Sequence, residues 1–449
     1  MNLTDAPLGL AFEGDYPESY GPDPAALRAI VQRQVGRLSG PGAVSDAQLI
    51  GILMGRRCGD LERAQLELDT RRDGSLSLVA RGEVTMSAAA YRAGAITHVV
   101  KNFKENGAGG HVRLRRPMAA RSEVDSIIDA CSVQNVVVSV NYLTTMAAVG
   151  KGIGGPENAP GLPDFADYRI PSTPESGGRS EPVRVAVIDT GITQNPRGDH
   201  WLDDVSRTTD NIDELDVLPA GPDGLLDYQA GHGTFVAGVI QRVAPAADVR
   251  MYRVADTDGF ADDFDIAAAI LQAHRDGAEV INLSLGSRTV DDQPPPLMQA
   301  AVQTVKEESG GATVIVAAAG NYGDESKVYP AALEGVEAVA GLTAYLTATN
   351  WSSFGPDVRF SAVGEGIHSV FPQGVESPVF DPEPDTFGPN AAAIWSGTSF
   401  AAPQIAGAIA RIVAEQPGTT ARDAVDLLDE RGKAIAGFGK AMRILQGIG

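Results

Sequence analysis

The second half of the chain alternates short apolar strands with helical stretches, and this alternation restricts the fold more than any other feature. Val, Ile and Ala dominate the predicted strands, with few polar residues in between. The strands are expected at 183–188, 248–254, 279–285, 312–319 and 336–342, and helices begin near His232, Asp262 and Pro296. Such strands are typical of a parallel sheet covered by helices on both faces. We therefore predict an α/β fold whose ligand site lies beyond the carboxyl ends of the strands.

The 449-residue chain is long enough for two or three domains, and its composition divides it into four segments. Residues 1–74 are predicted to be irregular or helical. Residues 75–148 alternate strands and helices in the order β-α-β-α-β and form a smaller α/β (α+β) unit. Residues 149–182 are rich in Gly, Pro and Ser, which is typical of a linker, and residues 183–449 carry the parallel sheet. In the N-terminal half, helices are expected near 24–38, 46–56, 60–70 and 87–103.

Acidic side chains dominate the C-terminal part of the chain. The net charge is -22, and residues 183–449 contribute 37 acidic against 17 basic side chains. Nucleic-acid binding requires a basic surface, so we predict no nucleic-acid partner. No run of 18 apolar residues occurs, which predicts no membrane-spanning segment. The first residues lack the features of a secretory signal, so we expect a cytoplasmic protein.

Residues 90–122 differ from the rest, because they hold seven basic side chains and one acidic side chain, Glu105. A solvated surface explains such a segment, and this is the interpretation that we favour. The alternative is that this basic face docks on the acidic residues 183–449.

Three polar residues stand where a parallel sheet presents functional groups. Asp189 ends the apolar strand of VAVIDTG, so its partly buried carboxylate needs a partner. His232 lies between two glycines in GHGTFVAGVI, and glycines allow close approach of the backbone. Ser399, in SGTSFAAPQIAG, begins a helix predicted over about 400–414, where free backbone N–H groups favour negative charge. Pro403 is expected near the first turn of that helix, where its missing N–H costs little.

Each of these residues has an ordinary structural explanation when taken alone. Asp189 and Ser399 can cap a turn and a helix, and an isolated histidine is more often structural than catalytic. Asp189 within D-T-G also fits an aspartic protease, but that chemistry needs two such carboxylates and the chain has no second D-[ST]-G. The order Asp, His, Ser, with Asn321 at the end of another buried strand, favours nucleophilic catalysis.

The chain resembles the subtilisin-like serine proteases, or subtilases, over essentially all of residues 183–449. The resembling segments, in family order, are VAVIDTGI, GHGTFVAGVI, INLSLGS, VIVAAAGN, YPAALEGVEAVAGL, SSFGP and SGTSFAAPQIAG. The resemblance implies a subtilisin-like parallel sheet and a serine endopeptidase that works through an acyl-enzyme. Ser399 is then the nucleophile, His232 the general base and acid, and Asp189 the residue that orients His232. The Asn321 amide and the Ser399 N–H hold the oxyanion.

The resemblance also implies residues that bind a protein or peptide substrate. They are Ser284, Leu285 and Gly286, on a strand that pairs with the extended peptide, and Gly259, Ala318 and Gly320. Val328 precedes Tyr329 where an open pocket would have glycine, which predicts a shallow pocket for the residue before the cleaved bond. Five aspartates in DTDGFADDFD (256–265) are either a solvated loop that caps the next helix or a preference for Arg or Lys upstream of the cleavage site.

The remaining segments leave several alternatives open. Residues 373–394 form a long acidic loop that is a lid, a partner surface or an insertion. Nine acidic residues within 199–227 allow a structural calcium ion, but no EF-hand spacing appears, no metal ligand is assigned and the chemistry requires no cofactor. Subtilases often carry an N-terminal inhibitor, so we expect the N-terminal region to dock on its own peptidase domain. The alternatives to a general endopeptidase are a dedicated processing protease of one substrate and a catalytically silent binding protein on the same fold.

Overall fold

The computed structural model of the protein describes residues 29, 31–32, 34, 46–57, 63–70, 76–93, 100, 102–108, 110–117, 119–133, 136–146, 155–158, 179, 181–219, 221–381 and 383–445. The strands and helices up to Met146 are called the N-terminal unit below, and those from Arg184 to Met442 the C-terminal domain. No helix within these ranges combines the length and the apolar character that crossing a membrane requires.

An antiparallel sheet forms the centre of the N-terminal unit. Its strands are β1 (Leu66–Thr70), β2 (Leu76–Ser87), β3 (Lys104–Ala108), β4 (His111–Arg115) and β5 (Val138–Met146). The helices described in this unit are α1 (Asp46–Arg57), α2 (Ala88–Arg92) and α3 (Arg121–Ser132). Strand β2 pairs with β1, β4 and β5, and helix α3 buries Val124, Ile127 and Cys131 in the apolar core of this sheet.

An eight-stranded sheet forms the centre of the C-terminal domain, in the order β19-β20-β14-β13-β12-β10-β7-β8. Its strands are β7 (Arg184–Asp189), β8 (Asp248–Arg253), β10 (Val280–Leu283), β12 (Val314–Ala318), β13 (Val336–Leu342), β14 (Val358–Val363), β19 (Lys433–Ile435) and β20 (Gly439–Met442). All neighbours are parallel except β19 and β20. Shorter strands are β6 (Glu157–Asn158), β9 (Phe260–Asp262), β11 (Leu285–Gly286), β15 (Ile367–Val370), β16 (Gly374–Val375), β17 (Thr386–Phe387) and β18 (Ala392–Trp395).

Helices cover both faces of the eight-stranded sheet, as predicted. They are α4 (His232–Val243), α5 (Asp263–Arg275), α6 (Pro296–Glu308), α7 (Thr398–Glu415) and α8 (Ala421–Arg431). Helices α4, α7 and α8 share one apolar core with one face of the sheet, and helices α5 and α6 share a second core with the opposite face. The α/β prediction is therefore confirmed, and the residues that follow the parallel strands gather at one edge.

Strand β5 takes part in the N-terminal sheet and also reaches the C-terminal domain. Its first part pairs with β2. Residues 143–145 pair antiparallel with β9, and residues 145–146 pair antiparallel with β11. The register places Leu143 opposite Asp262, Thr144 opposite Ala261, Thr145 opposite both Phe260 and Gly286, and Met146 opposite Leu285. The two parts of the protein thus share one hydrogen-bonded sheet.

Several local predictions differ from the structure. The helix expected near 60–70 is instead strand β1, because its leucines alternate with polar residues. Of the helix expected over 87–103, the described residues show Ala88–Arg92, and residues 94–99 and 101 lie outside the described ranges. The strand β3 was missed. Part of the expected linker is strand β6, which pairs with β18. The helix expected over 46–56 is confirmed by α1, whereas most of the one near 24–38 lies outside the described residues.

Candidate active site

Asp189 and His232 form a buried pair at the carboxyl edge of the sheet. Asp189 is the last residue of β7, and His232 is the first residue of α4. The Asp189 Oδ1 and the His232 Nδ1 lie 2.7 Å apart, and neither side chain is exposed. The Thr190 backbone N–H also donates to Asp189 Oδ1 at 2.8 Å. The carboxylate therefore fixes the orientation of the imidazole ring.

Glycine residues permit the close approach of these two elements. A Cβ on Gly233 would lie 2.2 Å from the Gly191 carbonyl oxygen, so any larger residue would push α4 away from the loop after β7. Gly231 has a φ of 83°, a conformation that other residues rarely adopt. The imidazole ring of His232 then packs against Trp395 and Phe400, with ring centroids 5.5 Å away in both cases.

Asp213 joins the loops that carry this pair. Its Oδ2 accepts hydrogen bonds at 2.9 Å from the Thr190 hydroxyl and from the Gly231 backbone N–H. Burial raises the pKa of the Asp213 carboxyl to about 6, against the effect of these donors. Sequence reasoning missed Asp213, because its role depends on a contact between loops that have no motif in common.

Ser399 is the second residue of α7, which begins at Thr398, about two residues before the predicted start. Pro403 is the sixth residue of the helix, in its second turn, and it has no N–H to donate to the Ser399 carbonyl oxygen four residues before it. The Ser284 hydroxyl donates to this oxygen instead, at 2.8 Å. The expectation that Pro403 lies near the first turn is corrected accordingly.

The Ser399 hydroxyl donates to the Ser284 carbonyl oxygen at 2.9 Å. The His232 Nε2 is buried and has no hydrogen-bond partner among the described residues. The structure therefore brings Asp189 and His232 into contact, and it places the Ser399 hydroxyl on Ser284 rather than on His232.

Asn321 follows strand β12 and contacts the residue before Ser399. Its Oδ1 accepts hydrogen bonds from the Thr398 backbone N–H at 3.1 Å and from the Thr398 hydroxyl at 2.9 Å. The Gly320 backbone N–H donates to the same hydroxyl at 3.2 Å. Thr398 thus fixes the direction of the Asn321 amide. The only sequence signal for Thr398 was its place immediately before Ser399 in SGTS.

The predicted substrate-binding residues line the edge occupied by β5. Leu285 and Gly286 pair with Met146 and Thr145, and the Met146 backbone N–H donates to the Gly259 carbonyl oxygen at 3.1 Å. Ser284, one residue before β11, contacts Ser399. An extended segment of the chain therefore lies where a peptide was expected to bind.

Val328 closes the space between Ala318, Gly286 and Gly320. A Cβ on Gly286 would lie 2.6 Å from Val328 Cγ1 and 3.6 Å from the Ala318 carbonyl oxygen, and one on Gly320 would lie 3.0 Å from Val328 Cγ2. Val328 itself is buried, with 2% of its surface exposed. This packing agrees with the expected shallow pocket.

The aspartates of 256–265 contact arginines of the N-terminal unit. Arg113 donates to Asp262 at 2.5 Å and to Asp265 at 3.2 Å, and Arg57 pairs with Asp256. Arg56 pairs with Asp258 at 3.2 Å and also with Asp227. Asp262 does cap α5, since its Oδ1 accepts from the Asp265 backbone N–H at 3.0 Å. The expected helix cap is therefore confirmed for Asp262, but Asp258 and Asp262 are buried rather than solvated. The solvated-surface interpretation of 90–122 is wrong for Arg113.

Carboxylates of the acidic segment 199–227 accept hydrogen bonds from protein groups. No group of three or more His, Cys, Asp or Glu side chains within the described ranges could hold a metal ion. Asp227 oxygens accept from Arg56, from the Thr257 hydroxyl and from the Val217 backbone N–H, and Asp216 accepts from the N–H groups of Asp223 and Gly224. These carboxylates are satisfied by protein donors.

Comparison with known proteins identifies several relatives of the chain. A thermostable alkaline protease from Halalkalibacterium halodurans is 30% identical over 247 residues, which are 53% of this chain and 58% of that protein. The chain thus spans little more than half of the length of this relative. Thermitase from Thermoactinomyces vulgaris is 29% identical over 57% of this chain and 83% of its own sequence.

Fervidolysin from Fervidobacterium pennivorans, a keratinolytic enzyme related to subtilisin, has a similar fold. It superposes with a TM-score of 0.58 at 20% identity, covering 85% of this chain and 63% of its own. The profile of the Subtilase family (peptidase S8) matches residues 180–435. Because this match covers more than half of the chain and includes Asp189, His232, Asn321 and Ser399, the protein belongs to the subtilase family.

Proposed function

We propose that the protein is a serine endopeptidase that hydrolyses peptide bonds through an acyl-enzyme. Ser399 attacks the scissile carbonyl carbon, and His232 accepts the hydroxyl proton and returns it to the leaving amine. Asp189 orients the imidazole and stabilises its cation, while the Asn321 amide and the Ser399 N–H donate to the oxyanion. The observation that carries the proposal is the buried Asp189–His232 pair beside the N-terminus of α7, next to a strand edge that already holds an extended peptide.

The Ser399 hydroxyl has to change direction before it reacts, because it donates to the Ser284 carbonyl oxygen. The Met146 N–H points to Gly259, and successive N–H groups of a strand point to opposite sides. A substrate residue opposite Ser284 would therefore direct its own N–H at the Ser284 carbonyl oxygen. A bound substrate therefore competes with the hydroxyl for this acceptor. We expect rotation about the Ser399 Cα–Cβ bond to bring the hydroxyl to His232 Nε2.

A serine-reactive fluorophosphonate probe tests the nucleophile. We expect the wild-type protein to be labelled at Ser399 and the Ser399→Ala variant to remain unlabelled, with peptide mapping used to identify the modified residue. Labelling of another serine, or equal labelling of the two proteins, would contradict the proposal. His232→Ala should fold but label much more slowly, because no base then removes the hydroxyl proton.

The N-terminal unit acts, in this proposal, as a tethered inhibitor of the same site. Residues 143–146 occupy the edge formed by β9 and β11. The buried Gln34 side chain adds a second contact between the two parts of the chain, because it donates to the Ile394 carbonyl oxygen at 3.0 Å and accepts from the Ser396 hydroxyl at 2.9 Å. A substrate that pairs with β9 and β11 must displace residues 143–146.

The register of β5 also predicts the bond that the enzyme cuts in its own chain. Leu285 lies opposite Met146, so continuing this register by one residue would place Ala147, the next residue in the sequence, opposite Ser284. Its carbonyl group would be the one nearest to Ser399. We therefore propose cleavage between Ala147 and Ala148, and a methyl side chain before the cleaved bond suits the space limited by Val328.

Substitution of Met146 tests inhibition within the full-length chain. Met146→Pro removes the N–H that donates to Gly259, whereas Met146→Leu keeps it. Loss of one such hydrogen bond together with proline strain should raise the rate of probe labelling about tenfold in the proline variant only. Equal labelling rates in the two variants would contradict inhibition by β5. Intact mass measurement of wild type and Ser399→Ala then reveals whether a fragment beginning at Ala148 depends on Ser399.

A further inference from the structure

We propose that the surface of the C-terminal domain covered by helix α1 and strand β4 is a recognition site for arginine side chains of extended peptides. It would select arginine at the third and fifth residues before the cleaved bond. This inference rests on the proposed endopeptidase function and defines the class of its substrates.

Three arginines of the N-terminal unit enter pockets of the same construction. In each pocket the guanidinium group pairs with aspartate carboxylates of the C-terminal domain and lies over a phenylalanine ring of that domain. Arg57 pairs with Asp256 and lies 4.6 Å from the centroid of Phe260. Arg113 pairs with Asp262 and Asp265 and lies 4.9 Å from the centroid of Phe264. Arg56 pairs with Asp227 and Asp258 and lies 5.1 Å from the centroid of Phe380.

The combination of carboxylate and ring favours arginine over lysine. A guanidinium group is planar, donates several hydrogen bonds and stacks on aromatic rings, whereas an ammonium group is a strongly hydrated point charge. The side chains of Asp227 and Asp258 are 1% and 0% exposed, so an uncompensated negative charge there would be costly. When the N-terminal unit dissociates from the C-terminal domain, the aspartates of these pockets lose their arginine partners and would favour binding of another cation.

The register of β5 indicates which substrate positions face the pockets. Side chains alternate along a strand, so Leu143 and Thr145 point to one side while Thr144 and Met146 point to the other. Leu143 packs with Phe260, Phe380 and Leu53 of α1, which places this side against the pocket rings. The Thr144 hydroxyl instead lies 3.2 Å from that of Ser287, inside the C-terminal domain.

The third and fifth substrate residues lie near different aspartates. Thr145, the third residue before the proposed cleavage, lies opposite Phe260, the ring that supports Arg57 beside Asp256. Leu143, the fifth residue, lies opposite Asp262, the partner of Arg113. An arginine at the third position is therefore assigned to Asp256 and Phe260, and one at the fifth position to Asp262 and Asp265.

Peptide hydrolysis by the full-length Met146→Pro variant, in which inhibition by β5 is relieved, tests this assignment. The parent peptide carries Leu-Thr-Thr-Met-Ala before the cleaved bond, and variants carry arginine, lysine or the neutral isostere citrulline at the third or fifth position. We expect arginine to raise kcat/KM about tenfold over citrulline at either position, and lysine to raise it less. Asp256→Asn should abolish the gain at the third position only, and Asp262→Asn, which keeps a helix cap, the gain at the fifth only.

Two outcomes distinguish failure of the arginine site from failure of the endopeptidase proposal. Equal cleavage of arginine and citrulline peptides, with the parent peptide cleaved, overturns the arginine site and leaves the endopeptidase proposal intact. The exposed Asp426, which lies on α8, provides a matched charge control, and Asp426→Asn should change neither preference. Loss of all peptide cleavage would contradict the proposed function itself, and the pockets are then judged by binding alone.

Chemical rescue measures that binding without catalysis. Arg57→Ala in the full-length chain empties the pocket of Asp256 and Phe260. Ethylguanidinium should raise the thermal midpoint of this variant and leave that of the wild type unchanged, while ethylammonium at the same ionic strength should have a smaller effect. Equal effects of the two cations, or equal effects on variant and wild type, would overturn the proposal.

Discussion

The Ser284 hydroxyl donates to the Ser399 carbonyl oxygen at 2.8 Å, and the Ser399 hydroxyl donates to the Ser284 carbonyl oxygen at 2.9 Å. The first bond satisfies the carbonyl group that Pro403 leaves without a helical donor. The second holds the proposed nucleophile away from His232. Ser284 therefore stabilises the start of α7 and also competes for the Ser399 hydroxyl.

Ser284→Ala should remove the first bond and leave the Ser399 carbonyl oxygen buried without its donor. We expect a loss of about 1 kcal/mol in the free energy of unfolding and slower acylation, because the N-terminus of α7 is then less well fixed. Urea denaturation and fluorophosphonate labelling measure the two effects. Ser361→Ala is the matched control, since the buried Ser361 hydroxyl has no hydrogen-bond partner among the described residues. A similar loss in both variants would contradict the role of Ser284.

Thr398→Val should lower kcat with little change in KM. The substitution keeps the shape of the side chain but removes the hydroxyl that donates to Asn321 Oδ1 and accepts from the Gly320 N–H. The Asn321 amide is then less well aligned with the oxyanion, and we expect about a tenfold loss, smaller than the 10²–10³ typical of deleting such a donor. Thr398→Ser keeps the hydroxyl and should restore most of the rate. An unchanged kcat in the valine variant would remove Thr398 from the oxyanion site.

Val328→Gly should enlarge the pocket for the residue before the cleaved bond. Wild type should prefer alanine there, because Val328 fills the space between Gly286 and Gly320. In the variant, kcat/KM for phenylalanine relative to alanine should rise about tenfold or more. Paired peptides that differ only at this residue provide the measurement, and Val328→Ile should leave the preference for alanine in place. Wild-type cleavage that already favours phenylalanine would disprove the shallow pocket.

Asp263→Asn should stabilise the protein at alkaline pH. Burial raises the pKa of the Asp263 carboxyl from 3.8 to about 7, despite hydrogen bonds from the backbone of α6. The folded state therefore binds more protons than the unfolded state between about pH 4 and pH 7, and the contribution of Asp263 to stability falls as the pH rises through this window. The asparagine variant should gain stability relative to wild type at pH 8 and little at pH 4 in urea denaturation. A constant difference across this range would show that Asp263 does not titrate there.

The sequence predicted most where a polar residue directly follows an apolar strand. Apolar runs of Val, Ile and Ala located the parallel strands, and Asp189 and Asn321 follow such runs directly. The structure brings Asp189 and His232 together as expected, while the catalytic roles of these residues and of Ser399 stay predictions. The cytoplasmic location and the domain boundaries are also still predictions.

Long-range contacts between polar groups could not be predicted in the same way. Asp213, Thr398 and Gln34 act through hydrogen bonds to groups that are distant in the sequence, and such bonds leave no periodic pattern. Arg113 was misinterpreted for the same reason, since a solvated base and a base that pairs with a distant carboxylate have the same local sequence. The pairing of β5 with β9 and β11 depends on main-chain groups, which any residue supplies.

Strand β5 is hydrogen-bonded within the N-terminal sheet and along the edge of the C-terminal domain at once. A ligand that pairs with β9 and β11 therefore displaces residues 143–146 of β5 from these strands and destabilises the small N-terminal core. Tight peptide binding and local unfolding of that core are thermodynamically linked, so each should promote the other. The rate of amide hydrogen exchange in β2 would then depend on the affinity of the ligand, although the ligand does not contact β2.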